Sequence, residues 1–178
     1  MQDDLIWAPW RLGYVQGDKK GPLKPDAKLN WLPGADHDCF LCQAVADSAD
    51  RDRLVVDRGE HSITVLNLYP YNNGHLLVSP RQHVARLDQL DAAVQLELTE
   101  KIARMIKALE KRLQAQGFNV GLNLGSAAGA GVPGHLHWHV VPRWKGDTNF
   151  MPSLAGINVI PQSLDALWEA LTEELGRA

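Results

Sequence analysis

The chain has only two cysteines in 178 residues, Cys39 and Cys42, set as C-x-x-C in "CFLC". That scarcity excludes a secreted scaffold stapled by disulfides and predicts a reducing compartment, the cytoplasm. No apolar run approaches the ~20 residues that a membrane-spanning helix needs, so no membrane partner is expected. The opening "MQDDLIWAPWRLGYV" starts with acids and lacks an apolar core, which predicts no signal peptide. A basic excess is missing too. The net charge of -3 argues against a groove for a nucleic-acid polymer, although local cations could still meet a small phosphorylated ligand. Internal repeats and a second domain are absent. At this length folding buries roughly 70% of the surface of the unfolded chain, so one domain needs no staple.

What is present reads in order. Residues 1–15 carry Trp7, Trp10 and Tyr14, an aromatic arm expected to pack on its own core or on a partner subunit. A Gly-, Pro-, Asp- and Lys-rich loop runs from there to residue 38. "CFLCQAVADSAD" predicts a short helix. "RLVVDRG", "HSITVLNLYP" and "GHLLVSP" are β-branched runs separated by turns, which predicts an antiparallel meander. Leu90, Val94, Leu98, Ile102, Ile106, Leu109 and Leu113 form one apolar stripe at helical spacing. Asp88 is the expected N-cap of this helix and Gly117 its stop, with Glu97–Lys101 and Glu100–Arg104 pairs on the exposed face. "FNVGLNLG" and "HLHWHVVPRW" are further strands, and "SLDALWEALTEELGRA" is an amphipathic C-terminal helix with Leu164, Leu167, Trp168 and Leu171 inward. The fold class is α+β: an antiparallel sheet of about five strands with one long helix packed on it, plus the C-terminal helix.

Seven histidines occur in all, and three of them, His135, His137 and His139, alternate with Leu136, Trp138 and Val140. On a strand, alternation puts the imidazoles on one face and the apolar residues on the other. Such a row has three readings: a merely polar strand face, a metal site, or nucleophilic catalysis. Three alternating rings spread over about 13 Å at ~3.3 Å per residue, too far for one metal with ~2 Å bonds to take them all. Catalysis on phosphorus suits the row better, because one neutral imidazole attacks while its neighbours donate hydrogen bonds to oxygen. The preceding loop, "SAAGAGVPG", supports that reading, since glycine backbone can turn N–H groups toward an anion. Gly129, Gly131 and Val132 are its expected substrate-contacting positions, and Asn123 adds an amide donor from the polar face of the preceding strand.

"HLHWHVV" resembles the H-φ-H-φ-H-φ-φ signature of the histidine-triad family. "VLNLYPYNNGHLLVSPRQHVARLDQL" is similar to the strands and loop that lead into that family's long helix, and "CFLC" and "VVPRWKGDTNFMP" extend the likeness. Within the family the chain looks most like bacterial diadenosine tetraphosphate phosphorylases of the fragile-histidine-triad branch. The resemblance covers residues 39–155, leaving 1–38 as arm and loop and 156–178 as C-terminal tail and helix.

The resemblance implies a nucleotide or dinucleoside polyphosphate as substrate and nucleotidyl transfer or hydrolysis through a nucleotidyl-histidine. It makes His137 the nucleophile, His139 a donor to the phosphate or bridging oxygen, and His135 a support for the row. His75 would lie near the phosphates and Asn67 would contact the ribose. The chemistry demands no metal cofactor, although a divalent cation often accompanies the polyphosphate. Cys39, Cys42, His83 and His135 would form a structural zinc site, with His37 as a local competitor for one position. Arg143 and Lys145 could meet phosphate or end a solvated strand. A homodimer using the long helix and a strand is implied as well. Two other activities remain open: a nucleoside phosphoramidase-like hydrolase and a non-catalytic nucleotide-binding module. A nucleotide-sugar transferase is disfavoured because such enzymes replace the third histidine with glutamine and His139 is present. A metal-dependent cupin is disfavoured because such enzymes need a Glu a few residues beyond the His pair, and residues 140–147 offer only Asp147 as an acid.

Overall fold

The computed structural model of the protein describes residues 29–147 and 160–177. The aromatic arm and the 148–155 end of the predicted domain lie outside the described residues. Helix α1 (Phe40–Ala46) carries Leu41, Cys42, Ala44, Val45 and Ala46 buried. The β-branched runs form the expected meander of β1 (Val55–Arg58), β2 (Ser62–Leu66) and β3 (Leu76–Pro80). Strands β4 (Gly117–Leu122) and β5 (Trp138–Arg143) complete a five-stranded antiparallel sheet of order β1-β2-β3-β5-β4. Among the described residues β5 therefore enters between β3 and β4 and leaves β4 at an edge.

Helix α2 (Ala92–Leu113) lies on one face with α3 (Leu164–Glu174), burying Leu66, Leu76, Val78 and Val140 of the sheet. Helix α1 covers Val55, Ile63, Val65 and Leu77 on the opposite face. Covering both faces explains why β2 and β3 are buried at every residue, as unbroken apolar and small-polar runs. Helix α3 meets the expectation: Ser163 caps it, its Oγ accepting from Ala166 N–H at 3.3 Å, with Leu167 and Leu171 buried. Trp168 anchors it further by donating from Nε1 to the carbonyl of Val55 at 2.8 Å.

Three expectations for the long helix need correction. Asp88 lies in a separate 3-10 turn, Leu87–Gln89, where it pairs with Arg86, and the N-cap is Asp91. The helix stops at Gln114, in the left-handed region at φ 53°, and Gly117 is already the first residue of β4. Lys101 is not on the solvent face. It is buried and pairs with buried Asp57 of β1, while Glu97 turns to Ser62 Oγ (2.6 Å) and the His61 N–H. Arg104 also reaches Asp57, at 3.5 Å. A buried ion pair adds little net stability, but removing one partner strands the other charge in the interior. Asp57→Ala is expected to cost about 3 kcal/mol by that argument, read as a lowered denaturant midpoint with unchanged slope; replacing both Asp57 and Lys101 by apolar residues recovers most of it.

Candidate active site and metal centre

The β2–β3 loop, the approach to β5 and β5 itself bring three imidazoles together, those of His75, His137 and His139. Gly74, at φ 78°, lets the loop close on α2: a Cβ there would sit 2.6 Å from Leu113 Cδ1. The next residue, His75, is buried, and its Nδ1 accepts the Tyr71 backbone N–H at 3.1 Å. Asn67 Nδ2 meets the same nitrogen at 3.1 Å, and its Oδ1 accepts from Tyr69 N–H at 3.0 Å, which fixes the amide's orientation. Since Nδ1 of His75 accepts, its proton is on Nε2, and that group donates to His139 Nδ1 at 2.9 Å. The proton of His139 is then on Nε2, which is buried and has no partner among the described residues. A backbone N–H thus sets two tautomers in series and presents one unused N–H donor. Burial, reinforced by the neighbouring His139 and His137, lowers His75 to about 3, and burial lowers His139 as well, so both rings are neutral near pH 7.

His137 is fixed separately. Its Nδ1 lies 2.7 Å from the carbonyl of His135, which only accepts, so Nδ1 carries a proton and the neutral ring keeps its lone pair on Nε2. The ring is 5.1 Å from His139, edge to face. Across the ladder, His139 pairs with Leu77 on one side and Gly121 on the other, and a Cβ on Gly121 would meet nothing within 4 Å, so open space adjoins His139 on that side. The expected alternation holds, with Leu136, Trp138 and Val140 in the core on the far side. The expectation of three rings open to a cleft on one strand does not. β5 begins only at Trp138, His135 is fully buried, and His137 is 6% exposed.

His135 turns away into a second cluster. Its Nδ1 lies 3.3 Å from Cys39 Sγ and 3.5 Å from Cys42 Sγ, and Cys42 Sγ is 3.2 Å from His83 Nδ1. The four ligand atoms all fall within 4.8 Å of one another. Tetrahedral zinc with bonds of about 2.3 Å to sulfur and 2.05 Å to nitrogen would separate S and N by about 3.5 Å, so the donor set fits. The far nitrogen of His135 donates to the Pro80 carbonyl at 2.9 Å, the outer hydrogen bond such ligands need. Burial pushes the Cys42 thiol up to about 11 and His135 down to about 4. His37 takes no part: it stacks on Trp31 at 4.1 Å.

A family model described as HIT domain matches residues 49–146. This chain belongs to the histidine-triad family. It is 39% identical over 175 residues to the AP-4-A phosphorylase of Mycobacterium tuberculosis, covering 97% of this chain and 84% of that one. It is 36% identical over 90 residues to the asymmetrical bis(5'-nucleosyl)-tetraphosphatase of Schizosaccharomyces pombe, about half of each chain (51% and 49%). Among solved structures, a zinc-bound histidine triad family protein from Mycobacterium smegmatis superposes with a TM-score of 0.64 at 26% identity, over 79% of this chain and 94% of that one. Cys39 and Cys42 precede the matched HIT residues, so the cluster joins two histidines of the family core to two cysteines outside it.

The remaining positions of this histidine-triad chain fall as follows. Asn123 is half-buried just past β4, and Gly129, at φ 81°, and exposed Gly131 lie in the loop before the row. Val132 packs its side chain on the apolar cluster around Cys39 and Leu41. Arg143 holds Asp147 with two bonds, 2.6 and 2.8 Å, and also reaches Asn119. Asp147 further accepts from Asn72 Nδ2 at 2.9 Å. Those two residues brace a strand end, and Asp147 is no metal ligand of the row. The groups that the sequence reading missed are the Tyr71 N–H and the Pro80 carbonyl. Both are main-chain atoms and leave no residue-type signal.

Proposed function

We propose that this protein cleaves diadenosine tetraphosphate or a close dinucleoside polyphosphate by phosphorolysis, with His137 as nucleophile. The observation that carries the reading is the paired tautomers: a lone pair at His137 Nε2 beside an N–H donor at His139 Nε2. Attack by Nε2 on the α-phosphorus forms a P–N bond and breaks the bond to the bridging oxygen, which leaves as ATP. The developing charge on that oxygen meets the His139 donor, an arrangement worth more in a dry site than in water. Phosphate then attacks the same phosphorus, the P–N bond breaks, ADP departs and the imidazole is restored. The long match to a protein named AP-4-A phosphorylase favours phosphate over water as the second acceptor.

Zinc belongs to the same reading, held by Cys39, Cys42, His83 and His135, where it would cross-link α1 to the sheet and take no part in bond breaking. A homodimer fits as well, because among the described residues β4 is an edge strand, with Val120 and Leu124 exposed.

Product analysis with and without phosphate tests the proposal. ADP and ATP should form in equal amounts only when phosphate is supplied. AMP and ATP in both conditions would replace phosphorolysis by hydrolysis, and no turnover in either would end the reading.

A further inference from the structure

The hydrogen-bonded ladder between β3 and β5 starts at the Val78–Trp138 pair. His137 therefore lies outside the regular sheet, although the proposed chemistry places the strictest demand on its position. What holds it instead is the stretch 134–137, which is built onto the four-ligand cluster. The His135 side chain enters the cluster while its carbonyl accepts His137 Nδ1–H. Leu136 N–H donates to the Val84 carbonyl at 2.7 Å, tying the stretch to the residue after His83. Gly134 lies so close to His83 that a Cβ would sit 3.2 Å from its Nε2. Buried Ser79 donates to the Leu136 carbonyl at 2.7 Å. Cluster and nucleophile thus share one short piece of backbone, with a single hydrogen bond between the last ligand and the attacking ring.

We propose that Cys39, Cys42 and His83 are positioning residues for His137: the metal they hold with His135 fixes the carbonyl that sets the nucleophile's tautomer and aim. Stapling α1 to the sheet is then only half of the centre's work. With the metal gone, His135 can rotate, its carbonyl moves, and the His137 ring is free to adopt the other tautomer, in which Nε2 carries the proton and cannot attack. The effect belongs in the chemical step and not in substrate binding, because only the reacting nitrogen changes. Misplacement by about 1 Å costs on the order of 100-fold in rate.

The kinetic arm rests on the phosphorolysis reading; a structural arm does not. Cys42→Ser weakens metal binding while leaving three ligands. The variant is compared with and without saturating zinc, at a temperature where circular dichroism finds both forms folded. The metal-free form should lose at least tenfold in kcat with KM within twofold of wild type, and zinc should restore it. In parallel, the low-field proton resonance of His137 Nδ1–H, assigned by its absence in His137→Gln, should vanish without metal and return with it. A folded metal-free form with wild-type kcat and an unchanged resonance overturns the proposal. Should that variant not fold without zinc, wild type exchanged from zinc to cadmium decides: a displaced resonance with kcat changed more than twofold supports the coupling, and no change in either overturns it. If wild type proves inactive on dinucleotides, the resonance alone still decides whether the metal sets His137.

Discussion

His137→Asn should lower turnover of diadenosine tetraphosphate by at least about 10⁴-fold, since removal of a covalent nucleophile leaves only binding and electrostatic contributions. Asparagine is the informative replacement because its Nδ2–H can still donate to the His135 carbonyl, as His137 Nδ1 does at 2.7 Å, while nothing replaces the Nε2 lone pair. Alanine would confuse two effects. The ring is 6% exposed, so deleting it opens a cavity and leaves a buried acceptor unpaired, at a cost of about 1–3 kcal/mol for the acceptor alone. The measurement is steady-state phosphorolysis beside a thermal melt. An unmoved melt with lost turnover assigns the nitrogen a chemical part; turnover within tenfold of wild type removes His137 from that part. Acid-labile, N-linked phosphorus trapped on wild type and missing from the variant would identify the bond itself.

How much of this was legible in the sequence depends on which atoms carry the information. Helix α2 was readable from its stripe because Leu90 to Leu113 repeats with helical period, yet both ends were misplaced. The true C-cap, Gln114, adopts a left-handed conformation that usually selects glycine, so the nearest glycine drew the boundary three residues on. Lys101 was assigned to solvent because its spacing to Glu97 suits an exposed pair, and its actual partner, Asp57, lies on another element. The four-residue Cys–His cluster was legible only in part. C-x-x-C announces half a site, but His37 lies two residues from it and His83 forty-one from Cys42; choosing the distant one needs the sheet topology or a family resemblance. The alternating histidines point to catalysis as a class, but alternation treats all three alike. Structure separates them: His135 serves the cluster, His137 presents a lone pair, and His139 presents a proton. That division is written by carbonyls and backbone N–H groups, and every residue type has those.

Stripping the metal should lower the stability of the whole domain by at least about 4 kcal/mol, the contribution of a ligand present at about a thousand times its dissociation constant. For a chain of this size that corresponds to a fall in Tm of about 8–16 °C. The argument starts from what the cluster joins. Cys39 and Cys42 belong to the start of α1, His83 to the loop after β3, and His135 to the approach to β5. The apolar cluster under α1 is the smaller of the two cores, and a seven-residue helix is far too short to persist alone. A metal cross-linking it to two parts of the sheet would therefore supply order that local propensity cannot. Without the ion, the cysteines and imidazoles are left 3.2–3.5 Å apart with only weak sulfur hydrogen bonds between them. Arg58 limits the damage, because it donates to the Ala44, Val45 and Asp47 carbonyls at the end of α1 and keeps that end tied to β1. The metal-free protein should then melt in two stages, α1 and the 132–137 stretch opening before the α2 side of the sheet. Chelator titration followed by calorimetry and by amide exchange measures both the size and the order. Equal melting temperatures with and without bound zinc, together with unchanged exchange in α1, would remove the ion from the stability of this fold.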